Sequence, residues 1–332
     1  MAKVHELLAR KGKTEADREA ESKQERAVIA AAHQFMTDES FERNFLFSGF
    51  ALAGLPHKRI ADDKEWRVET DHITLLVEPG RRILADGTNP FVGVPYGSRA
   101  RLIMLYLQTE AIKRQSREIE LGGSLTAWMR NLGIPNGGKS YMEVREQAER
   151  ISRCRLTFQT VRDGKTALVN QNILETAMFL HENSGDGRQF SLNLDVARLS
   201  EGFFNQLMKH PVPVAEAAIK SLNNNSTALD IYCWLAYRLH VLKKPTPITW
   251  AALHQQFGTN YAKVRQFKFK FLDALKLAMA VYPEAQVDIE EEGLVLKPSK
   301  EAVSKTLVAV PEPAPRLLAE PASRKMAQRR TG

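Results

Sequence analysis

The chain has 332 residues, 43% hydrophobic and 26% charged, with a formal net charge of +8. No run approaches the ~18 apolar residues of a membrane span, and the N-terminus lacks the apolar core of a secretory signal. Only Cys154 and Cys233 are present, which rules out a Cys-based metal spacing and speaks against a disulfide framework. A soluble, cytoplasmic protein of about two domains is expected. The positive charge points to nucleic acid, although residues 299–332 carry seven Lys/Arg and three Glu, a net +4 and half of the excess.

In chain order, residues 1–44 form a charged, partly helical arm. One helix is expected over Glu15–Met36, with Val28, Ile29, Ala32 and Phe35 as its apolar stripe. The arm is read as mobile rather than as a partner-docking helix. A first domain spans 45–195. Asp71–Pro79 reads as a strand ending in a turn at Pro79-Gly80, and Asp62-Asp63 as a solvated turn. Ser98 is expected to cap a helix through Ile112, and Ser124 a second, SLTAWMRNL. A third helix, SYMEVREQAERISRC, precedes strands at Leu156–Thr160 and Thr166–Gln171 joined by Asp163-Gly164, a strong hairpin signal.

The order helix, short helix, turn, helix, hairpin returns in a second domain, 196–298. Its parts are Thr227–Leu242, WAALHQQF capped by Thr249, Tyr261–Val281, and short strands at Gln286–Ile289 and Gly293–Leu296. An internal duplication is inferred. Between the two units Gln189–Leu194 reads as a strand, and Pro211-Val212-Pro213 as a break. From 299 the Pro-rich, basic tail reads as disordered.

Residues 133–140, GIPNGGKS, spell the Walker A pattern. A phosphate-binding loop needs a strand before it and a helix after it. Here the preceding segment has helical spacing, and no later strand ends in a suitable magnesium-binding acid. The glycines suit a turn between two helices instead.

The fold class expected is therefore α+β and mainly helical, with tandem winged-helix domains: a helix-turn-helix with a β-hairpin wing in each. The second helix of such a unit enters the DNA major groove by its N-terminal end. On the first unit this assigns DNA contact to Lys139, Ser140, Met142, Arg145, Arg150 and Arg153, with Arg162 and Lys165 at the hairpin tip. Glu143, Glu146 and Glu149 interrupt this face, although a Glu can accept from cytosine. On the second unit it assigns Asn260, Lys263, Arg265, Gln266, Lys270 and Lys276, with Phe269 turned outward. The acidic tip Glu290–Glu292 should avoid DNA. No catalytic, metal or cofactor-binding set stands out, so an enzyme is not expected.

LPHKR (55–59), PYGSRARLIMLYLQTEAI (95–112), SLTAWMRNLGIPNGGKSY (124–141), RISRCRLTF (150–158) and TALDIYCWLAYRL (227–239) resemble the plasmid-encoded RepA replication initiators. The resemblance covers roughly residues 55–298. It implies a protein that binds repeats in double-stranded plasmid origin DNA and loads host replication proteins, a helicase or the chromosomal initiator. It also implies dimerisation and repression of its own gene. The alternatives are a winged-helix transcriptional regulator and, more weakly, a P-loop NTPase.

Overall fold

The computed structural model describes residues 3–40, 42–70, 73–122, 125–162, 165–181 and 192–303. The expected cap at Ser124, the turn at Asp163-Gly164, the strand start at Gln189 and nearly all of the tail lie outside these residues.

Two helices open the chain, α1 (Lys3–Glu19) and α2 (Lys23–Thr37). The single helix expected over Glu15–Met36 is divided by Ser22. Its hydroxyl accepts from Glu25 N at 3.1 Å, and the Glu25 carboxylate accepts from Glu21 N at 2.8 Å. The Ser22 hydroxyl thus caps a new helix, and the Glu25 carboxylate holds the residue just before the cap. The segment is also not a loose arm: Leu8, Ala16, Ile29, Ala31 and Ala32 are buried.

There follow β1 (Arg43–Phe47), α3 (Ser48–Leu52), β2 (Trp66–Glu69), β3 (Ile73–Glu78), β4 (Gly80–Arg81), β5 (Phe91–Gly93), α4 (Gly97–Arg114) and β6 (Glu118–Glu120). Next are α5 (Leu125–Asn131), α6 (Gly138–Arg153), β7 (Arg155–Arg162), β8 (Lys165–Asn172), β9 (Leu174–His181) and β10 (Leu192–Leu199). The remainder is α7 (Glu201–Lys209), β11 (Pro211–Ala215), α8 (Glu216–Leu222), α9 (Ser226–Arg238), β12 (Thr246–Thr249), α10 (Trp250–Phe257), α11 (Val264–Ala280), β13 (Val287–Ile289) and β14 (Gly293–Leu296). The fold is α+β. Among the described residues no helix is long and apolar enough to cross a membrane.

The N-terminal helices dock on α11. Gln24 Nε2 donates to Asp273 O, and His5 Nε2 to Ala280 O, each at 2.8 Å. Thr249 caps α10 as expected, its Oγ1 accepting from Ala252 N at 3.2 Å. Ser98 does not cap α4: Tyr96 takes that place.

The order helix, strand, helix, helix, hairpin occurs twice, as α4-β6-α5-α6-β7-β8 and α9-β12-α10-α11-β13-β14. The pairing differs. In the second unit β14 lies between β12 and β13 in one sheet. In the first, β7-β8 continues a sheet begun by β2-β3, while β6 pairs with β10.

The proline pair read as a break is instead strand β11, antiparallel to β1 with Phe47 opposite Pro211 and Phe45 opposite Pro213. The prolines fit because amides at these positions point away from the partner strand. On β1 the corresponding N–H groups turn to α4: Phe45 N donates to Thr109 Oγ1 at 2.9 Å, and Phe47 N to Gln108 Oε1 at 2.7 Å. Gln108 is fully buried, and its Nε2 donates to Met104 O at 2.8 Å.

A buried ion pair joins the first helix of each unit. Arg101 on α4 meets Asp230 on α9 with both bonds at 2.6 Å, and the side chains are only 10% and 13% exposed. The other guanidinium N–H groups go to the carbonyls of Leu55 (2.6 Å), Pro56 (3.2 Å) and Gly97 (2.9 Å). His57 lies alongside, its Nδ1 3.0 Å from Ser226 Oγ. Burial, with Arg101 second, lowers His57 to about 4, against the raising effect of Asp230.

Asp230→Asn should destabilise the protein by about 3–5 kcal/mol in urea unfolding, because it leaves Arg101 buried without its counter-charge. His57 supplies a pH signature. Between about pH 6.5 and 4 the unfolded chain binds a proton on this ring that the folded chain refuses. Stability should therefore be fully present above pH 6.5 and fall on acidification through that window, by up to about 3 kcal/mol. Urea titrations at pH 7 and 4.5 should show this component missing in His57→Gln.

Candidate nucleic-acid interface

The residues of GIPNGGKS divide between two helix ends. Gly133, with φ of +64°, ends α5: its N–H reaches Arg130 O at 3.0 Å and Ile134 N reaches Met129 O at 2.9 Å. This is a Schellman stop, completed by the buried pair Met129 and Ile134. Gly137 is the N-cap of α6 and provides no side-chain capping bond. The element before the loop is thus a helix, and the strand–loop–helix geometry of a phosphate cradle is not formed.

The first turn of α6 faces solvent. The Lys139 side chain is 92% exposed and its Nζ lies 3.9 Å from Glu143. Met142 is 74% exposed, Arg145 is exposed and Ser140 half-buried. The inner face packs through Val144, Gln147, Ala148 and Ile151.

Arg150 corrects the expectation from helix geometry, being buried at 3% exposure. Its Nη2 donates to Asp62 Oδ1 and Glu146 Oε1, both at 2.9 Å, and its Nη1 to Val94 O at 3.2 Å. It holds α6 to the body and is not available to DNA. Asp62 is part of this anchor, not a merely solvated turn: Arg59 also binds it, at 2.6 Å.

All three acids on α6 have cationic partners. Glu143 lies 3.3 Å from Arg99 Nε, and Glu146 pairs with Arg150. Glu149 accepts from Arg82 Nε at 2.7 Å and Arg153 Nε at 3.2 Å. Burial would raise the Glu149 carboxyl, but these arginines hold it below its ordinary value. Arg153 is therefore partly engaged; its Nη1 also donates to Arg81 O at 3.0 Å. Lys139, Met142 and Arg145 are the exposed long side chains over the first two turns of α6.

The pairs involving Arg82 and Arg153 fix an element that the sequence reading missed, the β4–β5 hairpin. Gly93 has φ of +78°, and a Cβ there would lie 2.0 Å from Arg150 Nη1. A Cβ on Gly80 would lie 2.2 Å from Arg153 O. Both ends of the hairpin are pressed against α6. The available signal was Asp86-Gly87 between Arg82-Ile83-Leu84 and Phe91-Val92.

On β7 and β8, Arg162 pairs opposite Lys165 as the hairpin reading expects; their side chains lie outside the described set.

In the second unit, Asn260 lies in the turn before α11 and Lys263 is the N-cap, with no side-chain capping bond. Arg265, Gln266 and Lys270 are exposed, as is Phe269 at 63%, with Lys270 Nζ 5.2 Å from its ring centre. Among the described residues none of Lys263, Arg265, Lys270 and Lys276 joins an ion pair. Lys276 stands apart from the others, further along α11 beside the groove formed with α1 and α2. The β13–β14 tip is tied back to α10 and α11: Trp250 Nε1 donates to Glu291 O at 2.9 Å, and Lys268 Nζ to the same carbonyl at 3.2 Å.

Gly93→Ala should lower stability by about 2–4 kcal/mol, combining left-handed backbone strain with displacement of Arg150. Gly87→Ala, with φ of +83° but open space around it, should lose only about 1 kcal/mol. Urea unfolding of the two variants separates these effects.

Residues 94–251 match the family model described as plasmid encoded RepA protein. Among solved structures, a crystal structure of domains 2 and 3 of RctB is similar in fold. Its TM-score is 0.52 at 12% identity, covering 77% of this chain and 99% of that one. A second crystal structure of RctB domains 2–3 gives a TM-score of 0.45 at 11% identity, covering 75% and 94%. No curated protein sequence matches the chain.

Proposed function

We propose that this chain, whose residues 94–251 belong to the plasmid-encoded RepA family, is a replication initiator that binds repeated sites in its plasmid's origin through two winged-helix units. α6 is the reading helix of the first unit and α11 of the second. The observation that carries this reading is their shared presentation. Each helix follows a turn, lacks a side-chain cap, and exposes cationic and polar residues over its first two turns.

An uncapped helix start leaves N–H donors and the positive end of the helix dipole directed outward, toward phosphate oxygens. Lys139 and Lys263 add charge there, while Gln266 offers the paired donor and acceptor that suit adenine in the major groove. Phosphate contacts set the register and base contacts the sequence. Several copies on adjacent repeats would bend the origin, and an A·T-rich stretch beside them would open most easily. Host helicase or chromosomal initiator would load there. In this reading the protein is a cytoplasmic DNA-binding protein that needs no nucleotide cofactor.

Nuclease footprinting across the plasmid replicon, without nucleotide, tests this. Several protected direct repeats are expected. One protected inverted repeat at the protein's own promoter would instead make it a transcriptional regulator. Protection that requires ATP would restore the nucleotide-binding reading of residues 133–140. On the protected repeat, Lys139→Ala should weaken binding and reduce the salt slope by about one. An unchanged slope would remove Lys139 from the interface.

A further inference from the structure

The β4–β5 hairpin belongs to neither helix-turn-helix unit, yet it carries Ile83, the most exposed large apolar side chain among the described residues, at 85%. Leu84 beside it is 37% exposed. The tip is ordered by its own hydrogen bonds. Arg82 N donates to Pro90 O at 3.0 Å, Leu84 N to Thr88 O at 2.9 Å, and Thr88 N to Asp86 Oδ1 at 2.9 Å. The stem is fixed to α6 by Arg82 on Glu149, by Arg153 on Arg81 O, and by the two close approaches at Gly80 and Gly93. The Arg81 guanidinium lies 3.7 Å from the Phe91 ring centre and has no carboxylate partner among the described residues.

We propose that this hairpin is a third DNA-contacting element, inserting Ile83 into the minor groove beside the major groove that α6 reads. The inference rests on the origin-binding reading above. Three considerations support it. The stem is fixed to α6 itself, by Arg82 on Glu149 and by Arg153 on Arg81 O, so a duplex read by α6 lies beside a hairpin held rigidly to that helix. One isoleucine and part of a leucine expose a few hundred Å² at most, far below the ~1,200 Å² of a small specific protein interface. An apolar wedge between base steps needs no more than such a tip, held rigidly and flanked by a cation. Ile83 would partly unstack one step and kink the duplex, and Arg81 would meet a phosphate next to it.

The test uses the full chain and a duplex of the repeat that it protects, labelled at both ends for energy transfer. Wild-type protein is expected to bend this duplex by roughly 20–90°. Ile83→Ala should keep the footprint and the sedimentation coefficient but lose most of the bend, while Ile83→Met should retain it. Arg81→Ala should reduce the salt slope of binding by about one. A bend unchanged in Ile83→Ala overturns the wedge and leaves the initiator reading standing. A changed oligomeric state with an unchanged bend overturns it in favour of a protein contact. Absence of any protection by wild-type protein sinks the origin-binding reading itself. Because Ile83 is solvent-exposed, an unchanged circular dichroism melt confirms that each variant is folded.

Discussion

The pair Arg101–Asp230 is the constraint on which the rest of the architecture hangs. A guanidinium and a carboxylate taken out of water are tolerable only when charge and hydrogen-bonding capacity are both met. Here the carboxylate takes two N–H groups, and the carbonyls of Leu55, Pro56 and Gly97 take others. Three separate stretches of chain must therefore arrive together: the 55–57 loop, the start of α4 and the start of α9. Since α4 and α9 each lead one of the two repeated units, this site sets how one unit stands against the other. The matched family segment, 94–251, contains both charged partners.

The same logic of paired charge shapes the outer surface. α6 carries almost as many acids as bases, a poor composition for the phosphate-facing role proposed for it. The structure resolves the conflict by pairing: Glu143 with Arg99, Glu146 with Arg150, Glu149 with Arg82 and Arg153. Acids neutralised by neighbouring cations no longer repel a polyanion at close range. The helix can then be anchored through one face while Lys139, Met142 and Arg145 remain outward.

Much of this was legible from local pattern. Helices α4, α6, α9, α10 and α11 announce themselves by periodicity, Thr249 by its place before an apolar run, and β7–β8 by Asp-Gly between strand-like segments. The misses share a physical cause: they are decided by distant partners. Arg150 lies on what looks like a polar face until Asp62 and Val94, far away in sequence, close over it. β12 is four residues long and becomes a strand only because β14 returns beside it. β11 contains two prolines, which locally argue against a strand even though Val212 and Val214 alternate with them. The division at Ser22 was visible in principle, since Ser22 and Glu25 have capping-box spacing, but the helical pattern on both sides hid it.

The β1–β11 ribbon has a consequence for how copies of this chain could meet. A two-stranded ribbon ordinarily offers two open edges to any passing strand. Here β11 presents Pro211 and Pro213 outward, and the next outward amide, Ala215, is held by the Tyr232 hydroxyl at 2.9 Å. The opposite edge is closed by Thr109 and Gln108. Neither edge therefore offers a third strand a free N–H at these positions, and a strand added through the ribbon would lack those donors.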